Sequence, residues 1–353
     1  MTRFTKRLLE WTVVLLMIWG GLTVCGLPLT PIASTPTSSS ESGTRLPTPI
    51  ASSNANSTRG VVQPAAHPPP IDASRLLEHL RILSFERYDA IDRARAKQYL
   101  IQTLKTFGWT PVLQPFETGV NVLAERAGTD PQAGTLLVGA HYDTVRGSPG
   151  TDDNASAVAT MLEIARLLRS RSTPRTLKLV FFDLEEQGLR GSLHYVASDE
   201  QIKTVRGAVI LEMLGYACYT AGCQQYPSGL PANPPSDRGD FLAIIGNQEY
   251  LPLLNAFQTA SQSSLPPILT LAVPLQGLLM PDLLRSDHAP FWYQGIGAVM
   301  VTDTANFRNP HYHQPSDTLA TIDQKFLAGS AQLVMNTITA LLEDKGALKA
   351  EKS

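Results

Sequence analysis

Thr135-Leu136-Leu137-Val138-Gly139-Ala140-His141-Tyr142-Asp143 is a near-continuous apolar run closed by an imidazole and a carboxylate. A run of this length with no polar alternation reads as a strand covered on both faces. Its polar end then marks where the chain leaves the sheet. The pattern repeats along the chain. Leu177 to Phe182 is followed by Asp183-Leu184-Glu185-Glu186, and Val205 to Leu211 ends in Glu212. Between the first two runs lies Asp152-Asp153-Asn154-Ala155-Ser156, at the start of a helical stretch, and His313 comes near the end of the chain. Clusters placed just past successive strands converge on one edge of a parallel sheet.

Working outward, the spacing predicts helices from Asp72 to Leu83, Asp89 to Phe107, Ala155 to Leu168, Gly188 to Ala197, Tyr250 to Ser261, Asp287 to Gln294 and Asp323 to Glu343. Asp72 is a capping residue for the first, and Gly108 stops the second. Further strands are expected at Thr110 to Leu113, Asn121 to Arg126, Phe241 to Ile245 and Ala298 to Val301. Alternating strands and helices imply an α/β fold: a three-layer α/β/α sandwich with a mostly parallel central sheet. The stretch from Gly215 to Asp240 is a long loop rich in Gly, Pro and Tyr, and loops of that length inside a domain are usually functional. Tyr216, Tyr219 and Tyr226 are candidates to line a pocket or a lid.

Imidazoles and carboxylates delivered to one place are what a pair of zinc ions requires. Asp153 is suited to be the shared ligand, one oxygen to each cation. Adjacent residues after a strand point different ways, so Glu186 can ligate while Glu185 acts as general base on the attacking water. His141 is a nitrogen ligand, with Asp143 placed to hold its other ring nitrogen. For the second imidazole the residues alone leave His288, His311 and His313 open.

The 353 residues carry 29 basic and 31 acidic side chains, a balance that gives no reason to expect nucleic acid as a partner. The N-terminus reads as an address. Arg3, Lys6 and Arg7 precede an uncharged stretch from Trp11 to Leu29, the pattern of a signal peptide or a membrane anchor. Residues 30–70 are rich in Ser, Thr and Pro and read as a disordered linker. The domain proper is expected over residues 71–345, with 346–353 as a tail. The expected location is therefore extracytoplasmic, secreted or tethered through the N-terminal segment. In that setting Cys218 and Cys223, five apart around Gly222, can close a disulfide. Oligomeric state is silent in the sequence.

The order His-x-Asp, Asp-Asp-Asn-Ala-Ser, Glu-Glu-x-Gly-Leu-Arg-Gly-Ser, Glu-Met-Leu-Gly, Ser-Asp-His and His-x-x-x-Asp-Thr resembles the di-zinc aminopeptidase family. These are the bacterial leucyl aminopeptidases, related to glutamate carboxypeptidase II and the glutaminyl cyclases. The resemblance extends from about Leu76 to Leu342. It implies a zinc exopeptidase-like fold and two zinc ions, with His141 and Glu212 on one, Glu186 and His313 on the other, and Asp153 between. It implies Glu185 as base, Asp143 behind His141, Asp287 and His288 as supporting residues, and a cis peptide after Asp153. The activity implied is removal of N-terminal residues from peptides. Alternatives on the same fold are a carboxypeptidase, a glutaminyl cyclase-like enzyme and a catalytically silent binding domain. Many relatives carry Asp where this chain has Glu212, one methylene longer. A carboxypeptidase would need a cation for the terminal carboxylate, for which Arg190, Arg285 and Arg308 are candidates. Arg190 and Arg285 are more simply read as partners of nearby acids.

Overall fold

The computed structural model describes residues 67–228, 230 and 236–349. The expected signal or anchor stretch, nearly all of the linker and Cys25 lie outside the described residues. No helix among the described residues is long and apolar enough to cross a membrane.

The first elements follow local rules. Asp72 Oδ1 accepts from the Ser74 and Arg75 amides and starts α1 (Ala73–Leu83). Helix α2 (Ala90–Thr106) ends ahead of Gly108, whose φ of 84° lies in the left-handed region. Eight strands then build one sheet: β1 (Val112–Phe116), β2 (Gly119–Arg126), β3 (Thr135–His141), β4 (Thr176–Phe182), β5 (Val205–Glu212), β6 (Leu242–Asn247), β7 (Ile268–Val273) and β8 (Ala298–Thr302). Their spatial order is β1-β2-β4-β3-β5-β8-β6-β7. The central strands β4, β3, β5 and β8 run parallel. The flanks reverse: β2 is antiparallel to β4, and β6 is antiparallel to β8. The expected parallel sheet is thus the middle of a mixed one. Strand β7, absent from the sequence reading, pairs parallel with β6 at the edge.

Alternation along the strands creates two cores. Leu136, Val138 and Ala140 of β3 face one side with Val209 and Leu211 of β5. Leu137 of β3 faces the other with Ala208 and Ile210 of β5. The first core is covered by α1, α2, α3 (Ala157–Leu168), α6 (Leu251–Ala260) and α8 (Gln324–Glu343). The second is covered by α4 (Arg190–Val196), the short α5 (Asp199–Ile202) and α7 (Ala289–Tyr293). Each fully buried Leu or Phe contributes roughly 1.5–3 kcal/mol. Gly139 is required by packing, since a Cβ there would meet the Phe182 ring at 2.6 Å. Leu348 falls in the stretch expected to be a tail, yet it is buried in the first core; it fills space beside Gly207, so the packed body continues past residue 345.

Candidate active site

The sheet delivers the acids as its strand ends require. His141 is the last residue of β3 and Glu212 the last of β5. Glu185 and Glu186 follow β4 by a short turn through Leu184. Asp153 sits in the turn Thr151–Ser156 that leads into α3, and the Asp153–Asn154 peptide is cis. His313 arrives from the loop after β8. Of the nine non-glycine residues with positive φ among the described residues, three stand at the site: Leu184 (58°), Met213 (53°) and His313 (60°). His313 is a ligand candidate, Met213 follows one, and Leu184 precedes the base candidate Glu185. Such conformations cost roughly 1–2 kcal/mol apiece and gather where a site over-determines its backbone.

The two imidazoles face different oxygens of Asp153. His141 Nε2 lies 3.3 Å from Oδ1, and His313 Nε2 lies 3.2 Å from Oδ2. His141 Nε2 is also 3.5 Å from Glu212 Oε1, and His313 Nε2 is 3.1 Å from Glu186 Oε2. All seven expected residues, Asp143 and Glu185 included, meet here. By distance alone, His141, Glu185 and Glu212 form one group able to hold a cation, and His141, Asp153 and Glu186 form another. Proximity therefore does not separate Glu185 from the ligands. Asp153 Oδ2, Glu186 Oε1, His141 Nδ1 and His313 Nε2 are buried and make no well-directed hydrogen bond among the described residues, only the close ion contacts of the cluster. Buried polar atoms left so poorly bonded are costly, and a mixed imidazole and carboxylate donor set fits zinc.

Charge in the cluster is strongly shifted. Burial alone would raise the Asp153 carboxyl, but the two imidazoles hold it below the usual carboxylate range. Burial, then the Asp153 charge, pushes Glu186 up to about 7. Burial likewise pushes Glu185 well up, against the pull of His141. Burial opposes a charged His313, yet the Asp153 and Glu186 carboxylates hold it up to about 10. Protons kept in this way must leave when a cation binds.

The supporting bonds show what each motif is for. Asp143 Oδ1 is 3.4 Å from His141 Nδ1, as expected, but the same carboxylate accepts from the Glu185 and Glu186 amides at 3.1 and 3.2 Å. It thus ties β3 to the loop after β4. Asn154 brackets Glu212: its Nδ2 donates to Leu211 O, and its Oδ1 accepts from Met213 N. Asp152 accepts from Gly215 N and Asn309 Nδ2, and Ser156 Oγ accepts from Leu214 N. Around the ligand candidate Asp153, the Asp-Asp-Asn-Ala-Ser run is a set of braces for the segment after β5.

Two braces were missed by sequence reasoning. Asp317, four residues past His313, accepts from the Asp152 and Asp153 amides. Arg87 is buried and donates to the carbonyls of Leu83, Phe85, Tyr142, Pro149 and Gly150, fixing the loop between His141 and Asp153. The Asp of His-x-x-x-Asp was a usable signal for the first. An arginine that bonds only main-chain carbonyls leaves no signal for the second. Ser286 Oγ donates to Glu212 Oε2 at 2.6 Å, which leaves Oε1 turned toward His141. The longer side chain of Glu212 therefore still reaches the cluster. His288 and His311 do not. His288 is buried edge-on against Trp292, where burial lowers it to about 4, and His311 Nδ1 lies 2.9 Å from Ser316 Oγ.

A pocket opens beside the cluster. Its floor comes from one face of three neighbouring strands, with Met300 and Thr302 of β8, Ala243 and Ile245 of β6, and Leu269 and Leu271 of β7. Of the three loop tyrosines only Tyr226 lines it, stacked on Phe241. Tyr216 packs edge-on against His311, and Tyr219 donates to Asp323. Cys218 and Cys223 form the expected disulfide, Cα atoms 6.3 Å apart, in the same loop.

The model of peptidase family M28 matches residues 121–234 and 244–338. The chain belongs to peptidase family M28. The M28 match takes in every ligand candidate, and it bears out the resemblance carried by the ordered motifs. An uncharacterized Escherichia coli protein, YfbL, is 34% identical over 223 residues, covering 60% of this chain and 67% of that one. Aminopeptidase YwaD of Bacillus subtilis is 30% identical over 210 residues, covering 56% of this chain. The matched part is only 39% of the length of that relative. In fold, this M28 chain is similar to an aminopeptidase from Aneurinibacillus sp. strain AM-1, with a TM-score of 0.61 at 18% identity over 80% of this chain and 97% of the other.

Proposed function

We propose that this M28 peptidase is a di-zinc aminopeptidase that removes N-terminal residues from peptides. The observation that carries the reading is the division of Asp153: one oxygen toward His141, the other toward His313. His141 and Glu212 would hold one zinc, Glu186 and His313 the other, with Asp153 between them. Bound zinc supplies Lewis acidity, polarising the scissile carbonyl and lowering the pKa of the attacking water. Glu185 takes the proton of that water and returns it to the leaving amine. Its carboxyl is buried and its amide is held by Asp143, so it is fixed rather than mobile. The negative potential of Glu185, Glu212 and Asp143 favours a substrate α-ammonium. The apolar floor beside them accepts the N-terminal side chain. The Cys218–Cys223 disulfide suits an extracytoplasmic enzyme, secreted or tethered by its N-terminal segment.

The test is a panel of free and N-acetylated peptides, with metal analysis on the same sample. Two zinc ions per chain and loss of cleavage on acetylation are expected. Equal cleavage of acetylated peptides would end the aminopeptidase reading.

A further inference from the structure

Arg285 is the one Lys or Arg among the described residues that line the pocket. It stands at the mouth of a site otherwise dominated by carboxylates, and it was expected to pair with an acid. It does not. Its Nη1 donates to Asn306 Oδ1 at 2.9 Å and its Nη2 to Tyr312 Oη at 3.1 Å, both neutral. None of the ion pairs among the described residues includes it. Residues 229 and 231–235 contain no acid. Arg190, by contrast, is paired with Glu117, and Arg308 is buried against Gln224 Oε1 and the Phe241 carbonyl. Among the described residues, Arg285 alone of the three candidates lines the pocket, is exposed and has no acid paired to it.

The two bonds to Asn306 and Tyr312 hold the guanidinium plane and leave the remaining N–H donors for a ligand. A fork of that kind matches a carboxylate with two parallel bonds. Its distance from the reacting centre is bounded. Tyr312 stacks on His313 with ring centres 3.7 Å apart, and Arg285 Cζ is 5.9 Å from the Tyr312 ring centre. The guanidinium therefore lies within about 10 Å of the His313 ring, a reach of two to three residues at roughly 3.3–3.6 Å each.

We propose that Arg285 receives a substrate carboxylate on the leaving-group side, which makes free di- and tripeptides the preferred substrates. The inference rests on the aminopeptidase reading, because the apolar floor is then taken by the N-terminal side chain. A short zwitterionic peptide presents an ammonium to the acid cluster and a carboxylate to Arg285 at the spacing the site provides. A longer peptide carries its terminal carboxylate past the arginine, and only an acidic side chain just after the scissile bond could replace it.

The experiment compares kcat/KM of the zinc-loaded protein for leucyl-glycine, leucyl-glycinamide and the α-amide of leucyl-glutamate. The acid should be favoured over the glycinamide at least tenfold. Arg285→Gln should shrink that preference to within about twofold, and Arg285→Glu should invert it. If the glutamate α-amide is cleaved like leucyl-glycine, a side-chain carboxylate is accepted; if like the glycinamide, the C-terminal carboxylate is the one read. Equal cleavage of leucyl-glycine and its amide by the unaltered protein, or a preference that survives Arg285→Gln, overturns the proposal. N-Acetyl-leucyl-glycine separates the two readings. A protein that cleaves it, yet rejects the glycinamide, keeps Arg285 and breaks the aminopeptidase reading. One that demands the free amine and ignores the carboxylate does the reverse.

Discussion

The two sides of the site are built by different rules. The side with the ligand candidates comes from the ends of β3, β4 and β5 and from the turn before α3, and its strand-end groups are polar where the preceding run is apolar. The floor side comes from β8, β6 and β7, and its residues, Thr302 and Thr270 apart, are apolar within apolar strands. Register makes the floor. Thr302, Ala243 and Leu269 are cross-strand neighbours, and so are Met300, Ile245 and Leu271. The first of these rows continues into Glu212, which pairs with Thr302. One pleated face therefore runs from a ligand candidate to the pocket edge. The chemistry is set by anomalies visible one strand at a time. The pocket is set by which strands become neighbours, and by the reversal of β6 that brings Ala243 opposite Thr302.

If the division is real, substitutions should separate metal from selectivity. The largest effect is expected for Asp153→Ala, which should lose metal from both positions and reduce activity to background. Two zinc ions retained in that protein would break the bridging role. Glu185→Ala should keep both metals and lose about 100- to 10,000-fold in kcat, the usual worth of a general base. Loss of a metal instead would move Glu185 among the ligands, where distance alone also permits it.

Next in size is the pH dependence of zinc affinity. His313 is held up to about 10 and Glu186 up to about 7. Both are protonated below those values and must lose the proton to ligate, so affinity rises with pH. Release of one proton gives about tenfold per pH unit, and chelator competition at pH 6, 7 and 8 measures it. A flat profile would remove His313 from the ligand set.

Ile245→Trp tests the other side. It should fill the floor, leave zinc content unchanged and lower the preference for N-terminal Leu over Ala by roughly tenfold, as pocket contacts of this size do. An unchanged ratio would mean that the N-terminal side chain lies elsewhere. The smallest catalytic effect is expected for the Cys218→Ser, Cys223→Ser double variant. Its short loop is worth about 2 kcal/mol of stability, read by denaturant titration, while kcat/KM should move less than about threefold. A larger catalytic loss would show that the disulfide shapes the Tyr226 wall.

The sequence was most legible where local physics is strongest. The cap at Asp72, the stop at Gly108 and the buried strands Thr135–His141 and Val205–Glu212 fall where spacing places them. Strand β7 was not legible, because Ile268–Val273 is an edge strand between turn-rich segments, partly buried and without a clear alternation. The partner of Arg285 was misread for a related reason. Charge invites pairing with acids close in sequence, Asp282 and Asp287, whereas the fold supplies Asn306 and Tyr312.

By itself the sequence determined the α/β architecture, six of the residues that meet at the sheet edge and the cysteine pair that closes; for the seventh, His313, the residues left His288 and His311 equally open, and the family resemblance chose. Strand periods, caps and polar groups beside apolar runs are interactions a few residues long. Only tertiary structure decided that Asp143 and Asp317 brace the backbones of Glu185, Glu186, Asp152 and Asp153, that β6 runs backward, that the pocket has a largely apolar floor and that Arg285 lines it with no acid paired to it among the described residues. Those are contacts between segments tens to hundreds of residues apart. Nothing local distinguishes a carboxylate that takes an amide across the site from one that faces water, or an apolar residue that paves a pocket from one that fills a core.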